Sequence, residues 1–337
     1  MTERNQDDSE ESDAAAVEVP STSSSGLDAA WPVPHVPVVG TRKGLLAQFE
    51  SALAVGAVEL LSRMPFALQE GVVACLARIG RAVDRSHARS AREFVRQAMK
   101  TDDARTVEAL VLAGYRQLMR VSLDNTAFER RVPDERALER IELSISDDVR
   151  RVVEEKQGCI VVTGHVGDWE MCCGVVRWIG LGPVYAIAKP PRNYPLSVRI
   201  QTVRERRGVR MLPRRGAMQH SQAVIRAKGC VYMLLDQRAR KRPVMAEFFG
   251  RRACCDRSAG VLIKRLGVPI VFAACYRTEE HLRWRFEAER VVWPAEGKSK
   301  SVEELVDLVN RELERLILRA PDQYFWLHDR YRGGDRA

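Results

Sequence analysis

One stretch of this sequence carries residues suited to proton transfer. Gly164-His165-Val166-Gly167-Asp168-Trp169-Glu170 follows an apolar, β-branched run, Gly158-Cys159-Ile160-Val161-Val162-Thr163, short enough to be a buried strand. Two glycines break that strand, and Trp169 to Trp178 then reads as a helix. A histidine on a strand-to-helix turn titrates near neutrality, and a nearby carboxylate fixes its tautomer and stabilises its charged form. Asp168 and Glu170, three and five residues on, are both in reach by spacing. The same residues serve equally well as a capped helix start, with Asp168 as N-cap and His165 hydrogen-bonded in the loop.

The elements that must position this stretch are read from pattern. Residues 44–63 and 66–81 are apolar and helical, divided at Pro65. Further helices are expected over 85–100 and 104–128. From the strand before His165 the chain alternates between strands and helices. Strands fall at 184–188, 209–212, 229–235, 269–275 and 284–292, and helices at 195–207, 217–228, 256–266 and 301–319. Ser301 and Glu304 are spaced as a capping box. The strand at 229–235 delivers Asp236-Gln237-Arg238 at its C-terminal end, where open α/β sheets place their sites. The fold class is therefore α/β: a central, mostly parallel or mixed sheet flanked by helices, with an N-terminal helical annex. The division expected is a disordered acidic tail over 1–40, a helical region over 41–132 and an α/β core over 133–337.

Charge is unevenly distributed. Residues 1–30 hold eight acids and one arginine, whereas 189–265 hold twenty Lys and Arg against four acids. Such a basic segment suits an anionic partner, such as a phospholipid surface, a phosphopantetheine or nucleotide carrier, or nucleic acid. No helix-turn-helix or ribonucleoprotein pattern accompanies it, so nucleic acid is not expected. The eight cysteines form no C-x-x-C pair and read as buried free thiols of a reducing compartment. A serine nucleophile elbow is missing, since Asp256-Arg257-Ser258-Ala259-Gly260 lacks the first glycine. A metal site is not expected either: His165, Asp168 and Glu170 are too few, and no second histidine is near in sequence. No signal peptide is visible, and no apolar run approaches the roughly 18 residues that span a bilayer. The 44–81 helices therefore either pack on the domain or lie in a membrane interface.

In this order the landmarks resemble the bacterial lipid A biosynthesis acyltransferase family (the lauroyl and myristoyl transferases) of the wider lysophospholipid acyltransferase superfamily. The Gly164–Glu170 block is similar to the family's H-x-G-N-W-E, and Arg204 through Gly208 to its basic helix end. Asp236-Gln237 resembles its DQ and Phe248-Phe249-Gly250 its F-F-G. Pro321-Asp322-Gln323-Tyr324-Phe325-Trp326-Leu327-His328 resembles the closing P-E-Q-Y-x-W-x-H. Asp168 departs from the family's usual Asn and Asp329 from its usual Arg, and the spanning N-terminal helix common in the family is missing here.

The resemblance implies a glycerolipid acyltransferase-like fold and acyl transfer from a thioester, on acyl carrier protein or coenzyme A, to a hydroxyl of a lipid or glycolipid. It implies no cofactor, and a peripheral place at an anionic membrane surface, on the cytoplasmic face of the inner membrane. His165 is then the general base and Glu170 its partner. Asp168 and Asp236 are secondary, and Arg204, Arg207, Gln237 and Arg238 bind substrate. The contrasting reading is a catalytically inactive protein, or one that binds nucleic acid or anionic lipid through the basic 189–265 segment.

Overall fold

A computed structural model describes Trp31, residues 33–240 and residues 242–334. Seven strands form one sheet in the order β1-β9-β8-β2-β5-β3-β4. They are β1 (Ile141–Ile145), β2 (Cys159–Thr163), β3 (Val184–Ile187), β4 (Val209–Leu212), β5 (Cys230–Leu234), β8 (Ile270–Arg277) and β9 (Trp284–Val292). All neighbours pair in parallel except β8 with β9. Strands β6 (Val244–Phe248) and β7 (Arg251–Cys255) form a separate antiparallel hairpin. Phe249 and Gly250 turn it with φ of 51° and 71°, the double left-handed conformation of a tight hairpin turn.

Every residue of β2 is buried, as expected for a strand covered on both faces. Its side chains alternate between two cores. Ile160 and Val162 join one cluster with α3 (Arg85–Met99), α9 (Arg257–Leu266) and α11 (Val302–Arg319). Cys159 and Val161 join the other with α5 (Asp147–Glu155) and α6 (Trp169–Trp178). Helix α4 (Ala104–Arg131) contributes to both, Val107 and Val111 to the first and Ala127 and Phe128 to the second. The N-terminal helical region is thereby tied into the sheet's own cores. Ser301 and Glu304 close the expected capping box on α11.

Helices α1 (Leu45–Leu61) and α2 (Phe66–Val83) lie at the surface; α1 packs on α4 and on α7 (Tyr194–Arg206). Leu45, Leu46, Phe49, Leu53 and Leu60 point outward and are 62–84% exposed. No helix among the described residues is long and apolar enough to cross a membrane.

The expected tail over 1–40 has a different course in its last part, while residues 1–30 lie outside those described. Residues 33–42 run along α7 and the end of β3. Val33 exchanges hydrogen bonds with the Tyr185 hydroxyl, Val38 N–H donates to Gln201 and Gly40 N–H to Ser197. A Cβ on Gly40 would stand 2.3 Å from the Pro191 carbonyl oxygen, so only glycine lets the strap lie this close. Val33 and Val38 of the strap are themselves buried. An extended Val-Pro run needs few partners to dock, because proline has already removed much of its conformational freedom.

Candidate active site

His165 stands just past the C-terminal end of β2, and Asp236 just past that of its parallel neighbour β5. The two strands run in register from Cys159 beside Cys230 to Thr163 beside Leu234, so the ends arrive together. Asp236 is fully buried and grips His165 twice. Its Oδ2 accepts the backbone N–H at 2.8 Å, and its Oδ1 lies 2.7 Å from Nδ1. An ionised carboxylate only accepts, so Nδ1 donates to it, and in the neutral ring Nε2 is then the acceptor. Burial alone would raise the Asp236 pKa, but the charge and hydrogen bonds of His165, with His328 behind them, hold it far below the usual carboxylate range.

Two glycines make this approach feasible. A Cβ on Gly164 would press on the Asp236 carboxyl at 3.3 Å. At Gly167, with φ of +58°, it would stand 2.2 Å from the Cys275 carbonyl oxygen at the end of β8. The loop is then pinned from both sides. Asp168 N–H donates to Cys275 O at 2.6 Å, Gly167 N–H to Gln323 O at 2.9 Å, and Phe325 N–H to His165 O at 3.0 Å. Gln117 of α4 donates to both the Gly167 and the Gln323 carbonyls.

Glu170 sits elsewhere than expected. Its carboxylate is held bidentately by Arg204 of α7, through Nε at 2.8 Å and through Nη2. Burial opposes its charge, but the guanidinium outweighs burial and keeps Glu170 below the ordinary range. Among the described residues it makes no hydrogen bond to His165; the acid on the ring is Asp236. Asp168 is the N-cap of α6, accepting from Met171 N–H at 3.0 Å and from the Asn125 amide at 2.8 Å. Burial raises its pKa.

Arg207, expected to bind substrate, is engaged with α4. It is buried and donates to the side chain and backbone oxygens of Asn125. Gln237 is exposed, its amide 3.4 Å from His165 Nε2, and Arg238 donates to the Arg332 carbonyl. Much of the basic segment is paired: Arg204 with Glu170, Arg206 with Glu129, Arg214 with Asp256, Arg257 with Glu303.

His328, which the sequence reading used only as part of a block, also faces this centre. Its ring meets that of His165 edge-on, centroids 4.8 Å apart, and that of Phe325 at 4.7 Å. Its Nε2 is buried, has no hydrogen-bond partner and lies 4.0 Å from Asp236 Oδ2. Burial, followed by the His165 charge, pushes its pKa down to about 3. Trp169 completes the aromatic wall, 5.0 Å from His165. Arg330 is buried too and holds the turn after Asp236 by donating to Gln237 O at 2.7 Å.

What stands here is an imidazole with a buried carboxylate on Nδ1 and the exposed Gln237 amide 3.4 Å from Nε2. Such a pair accepts a proton from a hydroxyl and returns it to a leaving group. Residues 43–333 match the family described as Bacterial lipid A biosynthesis acyltransferase. The Lipid A biosynthesis palmitoleoyltransferase of Escherichia coli (strain K12) is 22% identical over 227 residues, 67% of this chain and 72% of that protein. The Lipid A biosynthesis acyltransferase of Shigella flexneri is similar to the same extent.

Proposed function

The chain belongs to the bacterial lipid A biosynthesis acyltransferase family and is an O-acyltransferase that transfers an acyl chain to a lipid; from this premise we propose that His165 is its general base, with Asp236 holding the ring. The acceptor hydroxyl gives its proton to His165 Nε2 as its oxygen attacks the carbonyl of an acyl thioester. The tetrahedral intermediate collapses, the C–S bond breaks, and the thiolate takes the proton back from Nε2. No enzyme nucleophile is needed, because the thioester is already activated. The donor is acyl carrier protein or coenzyme A, and the acceptor a lipid or glycolipid. Glu170 orders Arg204 at the rim of the site.

The observation that carries this reading is the double grip of Asp236 on His165, which fixes both the tautomer and the direction of Nε2. The test is acyl transfer by the purified chain, with each donor, to lipid A precursor and to lysophospholipid, read by mass spectrometry. His165→Ala should fall to background. Full activity in a folded His165→Ala protein would overturn the reading.

The outward leucines of α1 give the protein its place: they lie in the interface of an anionic membrane, peripherally, on the cytoplasmic face where the donor is found. Flotation with anionic vesicles tests this. Phe49→Glu with Leu53→Glu should abolish flotation while leaving the melting temperature unchanged, since neither side chain packs on the core.

A further inference from the structure

We propose that His165, Asp236 and His328 form a site for a divalent ion of the zinc class, which binds between the ring of His165 and the carboxylate of Asp236 and stops transfer. No second histidine stands near His165 in sequence, but the fold brings His328 to it from the C-terminal segment. One donor atom from each of the three residues lies within 4.8 Å of the others. Two imidazoles and a carboxylate are a donor set that zinc accepts, leaving a fourth position for water.

The unpartnered nitrogen of His328 is the observation that points to a ligand. A buried polar atom without a hydrogen bond carries a standing desolvation penalty. Here that atom is Nε2, 4.0 Å from Asp236 Oδ2. Donors of a tetrahedral zinc stand about 3.3 Å apart at ordinary bond lengths, so the widest separation must close by up to about 1.5 Å. The side chains of His165 and His328 are 17% and 15% exposed, so an ion can reach the pair from solvent. Arg330 behind His328 works against a dication and limits the affinity.

The binding step balances without any change of redox state. The ion takes the Nδ1 lone pair of His165, and the ring's single proton moves to Nε2. Asp236 binds through the carboxylate that already accepts both His165 bonds, and His328 through its unpartnered Nε2. With Nε2 protonated, the ring accepts nothing from a hydroxyl. Binding stands on the geometry alone; the block rests on His165 being the base.

The probe is Co²⁺, then Zn²⁺, added to the full-length, chelator-treated protein with its thiols kept reduced. One equivalent of Co²⁺ should give visible d–d absorption of a low-coordinate nitrogen and oxygen site, and Zn²⁺ should erase it. His328→Asn and His328→Gln should each weaken binding by about tenfold or more, with the melting transition confirming that they fold. A thiolate-to-cobalt charge-transfer band, which places the ion on cysteines, overturns the proposal. So does undiminished binding by a folded His328 variant, or no binding by the parent. In the same samples Zn²⁺ should suppress transfer and chelator restore it. If cobalt binds as described and transfer continues with zinc bound, the site stands and the general-base reading of His165 falls instead.

Discussion

Asp236 holds His165 by two bonds of different kinds, one to the ring at 2.7 Å and one to the backbone N–H at 2.8 Å. The backbone bond fixes where the loop stands and the ring bond fixes which nitrogen faces Gln237. Glu170 does neither, being occupied by Arg204. Asp236→Asn should therefore lower the acyl-transfer rate about 10²–10⁴-fold. The amide turned to donate toward Nδ1 selects the tautomer with the proton on Nε2. Glu170→Gln should cost less, and its loss should be coupled to that of Arg204→Met in a double-mutant cycle. If Glu170→Gln is the deader of the two while both fold, the roles are reversed.

The sequence showed which strand and which helix frame His165, because a buried β-branched run and a helix start are local signals. It could not show which acid meets the ring. Glu170 and Asp168 are near in sequence, but the Gly167 turn sends Asp168 back to cap α6. Glu170, in the first turn of that helix, meets α7 instead. Asp236 is brought in by strand pairing, which acts over any chain separation. Strand β1 and helix α5 were hidden because a few apolar residues, Ile141, Val149 and Val152, are buried within a charged stretch. The β6–β7 hairpin was hidden because its turn pairs a bulky Phe249 with glycine. That left-handed conformation is stabilised from outside by Gln97 and Glu314.

Replacing Asp168 by the Asn that the resemblance leads one to expect should matter little. Asp168→Asn keeps an oxygen to accept from Met171 N–H, and the carboxylate it replaces is already disfavoured by burial. Most activity should remain. Asp168→Ala removes the cap and should lower stability by about 1–2 kcal/mol, read from urea unfolding. Loss of transfer in a fully folded Asp168→Asn protein would show that the charge itself takes part.

Removal of residues 1–30 leaves in place the bonds of the 33–42 strap to Tyr185, Gln201 and Ser197. Removal through residue 43 takes away the bonds to Tyr185, Gln201 and Ser197, each worth about 1 kcal/mol. The shorter truncation should leave the melting temperature as it was, and the longer one should lower it by several degrees. Equal melting temperatures for the two would mean that the strap contributes no stability.

The pH dependence of stability should carry the signature of His328. Its pKa is pushed to about 3 by burial first and by the His165 charge next, against about 6.5 in an unfolded chain. As pH falls below 6.5 the unfolded state takes up a proton that the folded state refuses. The stabilisation is therefore complete above the unfolded value and is lost steadily as pH falls toward the folded one, by at most about 1.4 kcal/mol per unit. Asp236, whose folded pKa is depressed, has its window lower, below the ordinary carboxylate value of about 3.9. Between pH 6.5 and 4 the two do not overlap. Urea unfolding of the parent and of His328→Gln across that range should show the parent losing stability relative to the variant as pH falls, because the variant has no ring to protonate. Parallel curves would mean that His328 is protonated in the folded protein as readily as in the unfolded one, and that its nitrogen is better solvated than its burial implies.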